Sequence, residues 1–115
     1  MKKINKGFLE LIDKFTYRVE WSEADEVHIA YCLELPSVKA HHETIEGAIK
    51  ELKIPLETAL NWMKEDGQPL PEPMGTRVYK GSLTLRVPPE VHKKLAMKSA
   101  EEGVSINHYI LSKLG

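Results

Sequence analysis

Ser82, Thr84 and Arg86 stand at alternate positions of the segment Lys80-Gly-Ser-Leu-Thr-Leu-Arg-Val87, with Leu83, Leu85 and Val87 interleaved. On an extended chain successive side chains point to opposite faces, so two hydroxyls and a guanidinium share one face and three aliphatic groups the other. The polar row is short and rich in hydrogen-bonding groups, and the guanidinium presents its donors as a rigid fork that can hold two acceptors together. This is chemistry for recognition. Groups suited to catalysis are not assembled in the same way. Acidic residues cluster around a turn (Glu20, Glu23, Asp25, Glu26) instead of converging from separated strands and a helix on a metal pair. His28, His41, His42, His92 and His108 lack a ligand framework, because Cys32 is the only cysteine and His41 and His42 would point to opposite sides of a strand. No glycine-rich phosphate loop or nucleophile elbow occurs. A protein without catalytic activity, metal or cofactor is expected.

The elements that must hold the polar row follow it directly. Pro88-Pro89 ends the strand, since neither residue can donate to a ladder, and Pro89 with Glu90 suits a first helical turn. Val91, Leu95, Ala96 and Ala100 recur at helical spacing. Gly103 is placed to stop that helix in a left-handed conformation, and Ser105 to cap the next, whose apolar positions are Ile106, Tyr109, Ile110 and Leu114. A strand and two short helices bury too little surface alone, and the strand has nothing within the stretch to pair with. Two copies are expected to form an antiparallel ribbon over a shared four-helix core, with Leu83, Leu85, Val87, Leu95, Ile106 and Ile110 in the dimer core.

Upstream, Pro69, Pro71 and Pro73 forbid regular ladder pairing and read as a semi-rigid spacer. The predicted organisation is a first domain over 1–66, a linker over 67–79 and a tail module over 80–115. The first domain reads as a compact α/β piece. Asn5 to Lys14 suggests a short helix, Tyr17 to Trp21 and Val27 to Leu33 a strand hairpin, and Val38 to His42 a third strand. A helical stripe then runs through Ile45, Ala48, Ile49, Leu52, Leu56, Ala59, Leu60 and Met63, with a kink or a break near Lys53-Ile54 expected from Pro55.

Charge divides at the same boundary. Residues 77–115 carry seven Lys/Arg against three Glu, and residues 1–76 nine against fourteen acidic groups, so a net of −1 conceals halves of +4 and −5. A basic tail favours phosphate contact, and an acidic body a basic protein partner. The single cysteine, with no signal peptide or membrane-length apolar run, gives the expectation of a cytoplasmic protein that avoids membranes.

Ser82-Leu-Thr-Leu-Arg-Val-Pro-Pro89, Leu95-Ala96 and Gly103-Val-Ser-Ile-Asn107 together resemble the ribbon-helix-helix DNA-binding proteins of the Arc and MetJ type. The resemblance implies that the ribbon's polar face enters the major groove, with Ser82, Thr84 and Arg86 as base contacts. Physics agrees, because burial of the apolar face aims the polar row of both strands outward, and a guanidinium can bond guanine O6 and N7 together. The first-turn N–H groups at Ser105, Ile106 and Asn107 suit a phosphate oxygen, while Ser105 can equally serve as a helix cap, and the two roles can coexist.

Tyr17-Arg-Val-Glu-Trp-Ser22, Glu34-Leu-Pro-Ser37, Ala40-His41, Thr44 with Glu46 and Ala48, and Gly67-Gln-Pro-Leu-Pro-Glu-Pro73 extend the resemblance to the HicB family of antitoxins. His42 departs from it, standing where that family commonly has glycine. The implied fold is α+β: a truncated RNase H-like domain joined by the proline-rich linker to a dimeric ribbon-helix-helix domain. The implied function is that of a type II antitoxin, which blocks a small basic HicA-like mRNA interferase and represses its own operon as a dimer or tetramer on double-stranded operator DNA. Glu20, Glu23, Asp25, Glu26 and Glu34 are available to a basic toxin, or are simply solvated. Two rivals are a stand-alone transcription regulator with a ligand-sensing first domain and a nuclease with an unrecognised metal site.

Overall fold

The computed structural model describes residues 6–115, a mixed α+β chain whose contacts divide it into two units, Met1–Val78 and Tyr79–Gly115. In the first, helix α1 (Lys6–Lys14) leads into strands β1 (Tyr17–Ser22), β2 (Val27–Cys32) and β3 (Leu35–His42), followed by helix α2 (Ile45–Glu65). The Asn5 start expected for α1 lies outside the described residues.

The strands form an antiparallel sheet in the order β1-β2-β3. Tyr17 faces Cys32, Val19 faces Ala30, and Ala30 in turn faces Ala40, so these residues line one side of the sheet. Alternation puts Arg18, Glu20, Ile29, Tyr31, Lys39 and His41 on the other side. A register shift at Tyr31/Cys32 marks an irregularity at the β2–β3 corner. The third strand begins at Leu35, earlier than its sequence pattern suggests, because an edge strand tolerates Pro36.

The helix α2 covers the first side. Ala48, Leu52, Leu56 and Leu60, at spacing four, are fully buried, and with Phe8, Ile12, Phe15, Ala30 and Cys32 they make the core. Each buried leucine contributes about 1.5–3 kcal/mol relative to exposure. The two-helix alternative at Pro55 is not realised: α2 is a single helix from Ile45 to Glu65. Proline removes only one N–H, and Leu52 and Leu56, both buried on the same sheet, hold the flanking turns in place.

His42 finds a physical role where the family resemblance leads to a glycine. Its Nδ1 accepts the Thr44 N–H at 3.1 Å, and its ring lies so close to Gly47 that a Cβ there would fall 2.0 Å from Nδ1. Thr44 caps α2 through its hydroxyl, which accepts the Gly47 N–H at 3.0 Å.

Residues 67–77 are not a free spacer but part of the first unit. Gly67 (φ 71°) closes α2, its N–H donating to the Lys64 carbonyl and that of Gln68 to the Met63 carbonyl. Leu70 then packs against the core and Pro73 is buried. Prolines that cannot join a ladder still carry apolar surface, and here Pro73 is laid against the domain while Pro69 stays exposed.

The second unit contains α3 (Pro89–Glu102) and α4 (Ile106–Leu114), bounded as Pro89, Gly103 and Ser105 predict. Residues 80–88 form no strand within the single chain.

Candidate nucleic-acid interface

Among the described residues nothing covers the segment that carries the polar row. Ser82, Thr84 and Arg86 are exposed, and so are the aliphatic residues between them: Leu83 is 85% exposed and Leu85 63%. A sheet ladder would satisfy the backbone of this segment, and a second apolar surface would cover its leucines. The other residues assigned to a dimer core, Leu95, Ile106 and Ile110, are half-buried, whereas Val91, Met97, Leu111 and Leu114 remain exposed. No apolar side chain of the second unit is buried; Ser99 alone is, with its hydroxyl donating to the Ala96 carbonyl at 3.0 Å. Two helices and a segment with this much uncovered apolar surface lack a core of their own.

The joint between the helices is nonetheless well defined. Gly103 takes φ 71°, its N–H donates to the Ala100 carbonyl at 3.1 Å, and the Val104 N–H reaches the Ser99 carbonyl at 3.0 Å. This paired closure requires a left-handed residue after the helix, which glycine supplies without a Cβ penalty. Ser105 then starts α4, its hydroxyl accepting the His108 N–H at 3.0 Å. The N–H groups of Ile106 and Asn107 belong to the first turn and have no intrahelical acceptor, so the positive end of α4 is directed to its exposed N-terminus. Arg86, Lys80, Lys93, Lys94, Lys98 and Lys113 are all exposed. Lys113 lies over the Tyr109 ring at 5.3 Å.

In the first unit the acidic residues are less free than their sequence suggests. Glu34 ties two distant chain positions together: its carboxylate accepts the Thr16 N–H at 2.9 Å, the Thr16 hydroxyl at 3.2 Å and the Met74 N–H at 2.8 Å. Burial works against its charge, but the N–H donors of Met74 and Thr16 outweigh that effect and hold the carboxyl below its ordinary range. Glu20 accepts the Tyr31 hydroxyl at 3.0 Å, which raises the phenol, and Glu23 accepts the Trp21 indole N–H at 2.6 Å. Asp25 pairs with Ser22 across the β1–β2 turn, where Glu26 has φ 52°. The carboxylates do not gather with histidine or cysteine into a group able to hold a metal ion among the described residues.

Cys32 is wholly buried, and burial pushes its thiol up, so it packs as a small apolar group. Tyr17 donates to the Ile12 carbonyl, and burial, followed by the nearby Cys32, Glu34 and Asp13, raises its hydroxyl to about 12. It borders a cleft of about 240 Å³ between α1, β1 and α2, lined by Ile12, Asp13, Tyr17, Ile49, Lys50, Lys53 and Leu56. Among the described residues no helix is long and apolar enough to cross a membrane.

Sequence reasoning missed the clip made by Glu34, for which there is no local signal: its partners are 18 and 40 residues away. It also missed two exposed apolar residues of α2 off the core stripe, Ile54 and Trp62, and Ile45 and Ile49, expected in that stripe, are exposed as well. Comparison with curated proteins finds no match. The model of the HicB family matches residues 60–114, a stretch that runs from the last turns of α2 through the polar row and both helices of the second unit.

Proposed function

We propose that the chain is an antitoxin of the HicB family: its first unit binds and neutralises a small basic HicA-like mRNA interferase, and its second unit pairs with a second copy to repress the chain's own operon. The observation that carries the reading is the HicB match over residues 60–114. The uncovered alternation of Ser82-Leu83-Thr84-Leu85-Arg86-Val87 supports the DNA-binding part. Paired with its twin, the segment buries its leucines, satisfies its backbone and presents six polar side chains on one ribbon narrow enough for a major groove. Arg86 reads base edges, Thr84 and Ser82 assist, and the first turn of α4 at Ser105, Ile106 and Asn107 receives a phosphate. Ser105 performs its capping bond at the same time, since the hydrogen bond to His108 leaves the two preceding N–H groups of α4 available. The acidic first unit suits a basic ribonuclease. In this reading the protein binds and does no chemistry of its own, and it works in the cytoplasm as a dimer or tetramer.

Affinity purification of the full chain from its native cell tests this reading. A small basic protein should co-purify, cleave RNA once freed, and lose that activity when the chain is restored. Recovery of the chain with a bound small molecule and no protein partner would instead support a stand-alone regulator, the reading that the cleft beside Lys50 and Lys53 favours.

A further inference from the structure

The helix α2 exposes a second surface, opposite the stripe that covers the sheet. Ile54 is 72% exposed and Trp62 65%. They lie two turns apart with Thr58 between them on the same side of the helix. Thr58 turns its hydroxyl back to the Ile54 carbonyl at 3.1 Å, which leaves its methyl group to continue the apolar line. Glu51 precedes this line and Glu65 follows it, and both are exposed; Glu65 is held by the Asn61 amide at 3.3 Å.

The basic residues of α2 lie mainly to one side of this line. Lys50 and Lys53 line the cleft beside α1, and the Lys64 ammonium lies 5.8 Å from the centre of the Phe8 ring. Lys53 and Lys64 thus lie on the flank that faces α1, Lys50 stands between that flank and the first turn of the ridge, and Glu51 and Glu65 flank the ridge at its two ends. An isolated exposed leucine or isoleucine is ordinary, but a tryptophan and an isoleucine in line on a helix, with Glu51 and Glu65 flanking the two ends, have the make-up of an interface anchor. Tryptophan is also the best aromatic partner for a cation.

We propose that the Ile54-Thr58-Trp62 ridge, with Glu51 and Glu65, is the surface on which the first unit receives its small basic protein partner. The assignment rests on the antitoxin reading and specifies where the toxin docks. Arginine or lysine side chains of the partner meet Glu51, Glu65 and the Trp62 face, and an apolar patch covers Ile54 and the Thr58 methyl. The carboxylates of the β1–β2 hairpin, where Glu20, Glu23 and Asp25 accept hydrogen bonds within their own turn and strands, serve as the comparison surface.

The test uses the full chain and the small basic ribonuclease encoded in its own operon, with affinity measured by calorimetry. Trp62→Ala combined with Ile54→Ser should weaken binding at least about 30-fold. Glu51→Lys with Glu65→Lys should weaken it and flatten its salt dependence, and Glu23→Gln should change it less than about 3-fold. Because Ile54 and Trp62 lie outside the core, the variants should keep the wild-type circular dichroism, thermal midpoint and mass of the free chain. Wild-type binding with the ridge variants equally tight overturns the ridge and leaves the antitoxin reading standing. A ridge variant that changes the mass of the free chain overturns it in favour of a contact between copies. Failure of the wild-type chain to bind the ribonuclease overturns both the antitoxin reading and the ridge.

Discussion

At the scale of single residues, Arg86 and Glu34 mark the two kinds of information the chain contains. In the proposed complex Arg86 is the strongest reader of bases, so Arg86→Ala should weaken operator binding and reduce discrimination at its base pair by about 1–3 kcal/mol, whereas Asn107→Ala should weaken all sequences evenly. Binding to operators substituted one base pair at a time separates the outcomes; an unchanged specificity ratio would remove Arg86 from the reading face. The alternation around Arg86 is a local pattern that can be read without knowledge of the fold, although residues 80–88 form no strand within the single chain. The role of Glu34 was not legible, since what it bonds is brought to it by chain folding alone. Glu34→Ala strands the Thr16 and Met74 N–H groups and should cost about 1–3 kcal/mol in a denaturant titration of the first unit at neutral pH. The carboxyl is held below its ordinary 4.5, so its contribution is fully present above that pH and is lost as pH falls through the lower folded value. The gap between wild type and variant should therefore close in acid.

At the scale of elements, caps and stops were the most readable feature. Pro89, Gly103 and Ser105 bound α3 and α4 as their chemistry requires, because each acts through its own backbone or the next turn. Gly103→Ala places a Cβ in open space but on a φ of 71°, so its cost is conformational. About 1 kcal/mol should be lost in chemical denaturation, against a change of a few tenths for Gly75→Ala, a glycine without positive φ or close neighbours. The extent of β3 and the continuity of α2 were less readable. A proline near a strand end or inside a helix reports a local penalty, while its acceptance depends on the edge position of β3 and on the buried leucines either side of Pro55. The docking of residues 67–77 was hidden for the same reason: composition announced a spacer, and the buried Pro73 and core-packed Leu70 are tertiary facts.

At the scale of the whole molecule, the two units differ in self-sufficiency. Every buried apolar side chain belongs to the first, which should fold as residues 1–78 alone. In the proposed function, that truncation loses operator binding and, at least in part, keeps toxin neutralisation; operator binding retained by it, in a gel-shift titration, would refute the assignment of DNA contact to the tail. The full chain should show a concentration-dependent unfolding midpoint for the tail and a fixed one for the first unit. In the proposed function, the uncovered leucines beside Ser82, Thr84 and Arg86 set the law by which the gene answers its product. Paired tails accumulate with the square of free chain when pairing is weak, so a halving of supply leaves roughly a quarter of the competent repressor. Transcription would rebound more steeply than the protein declines, and the missing core of a 37-residue tail becomes the amplifier in a feedback loop.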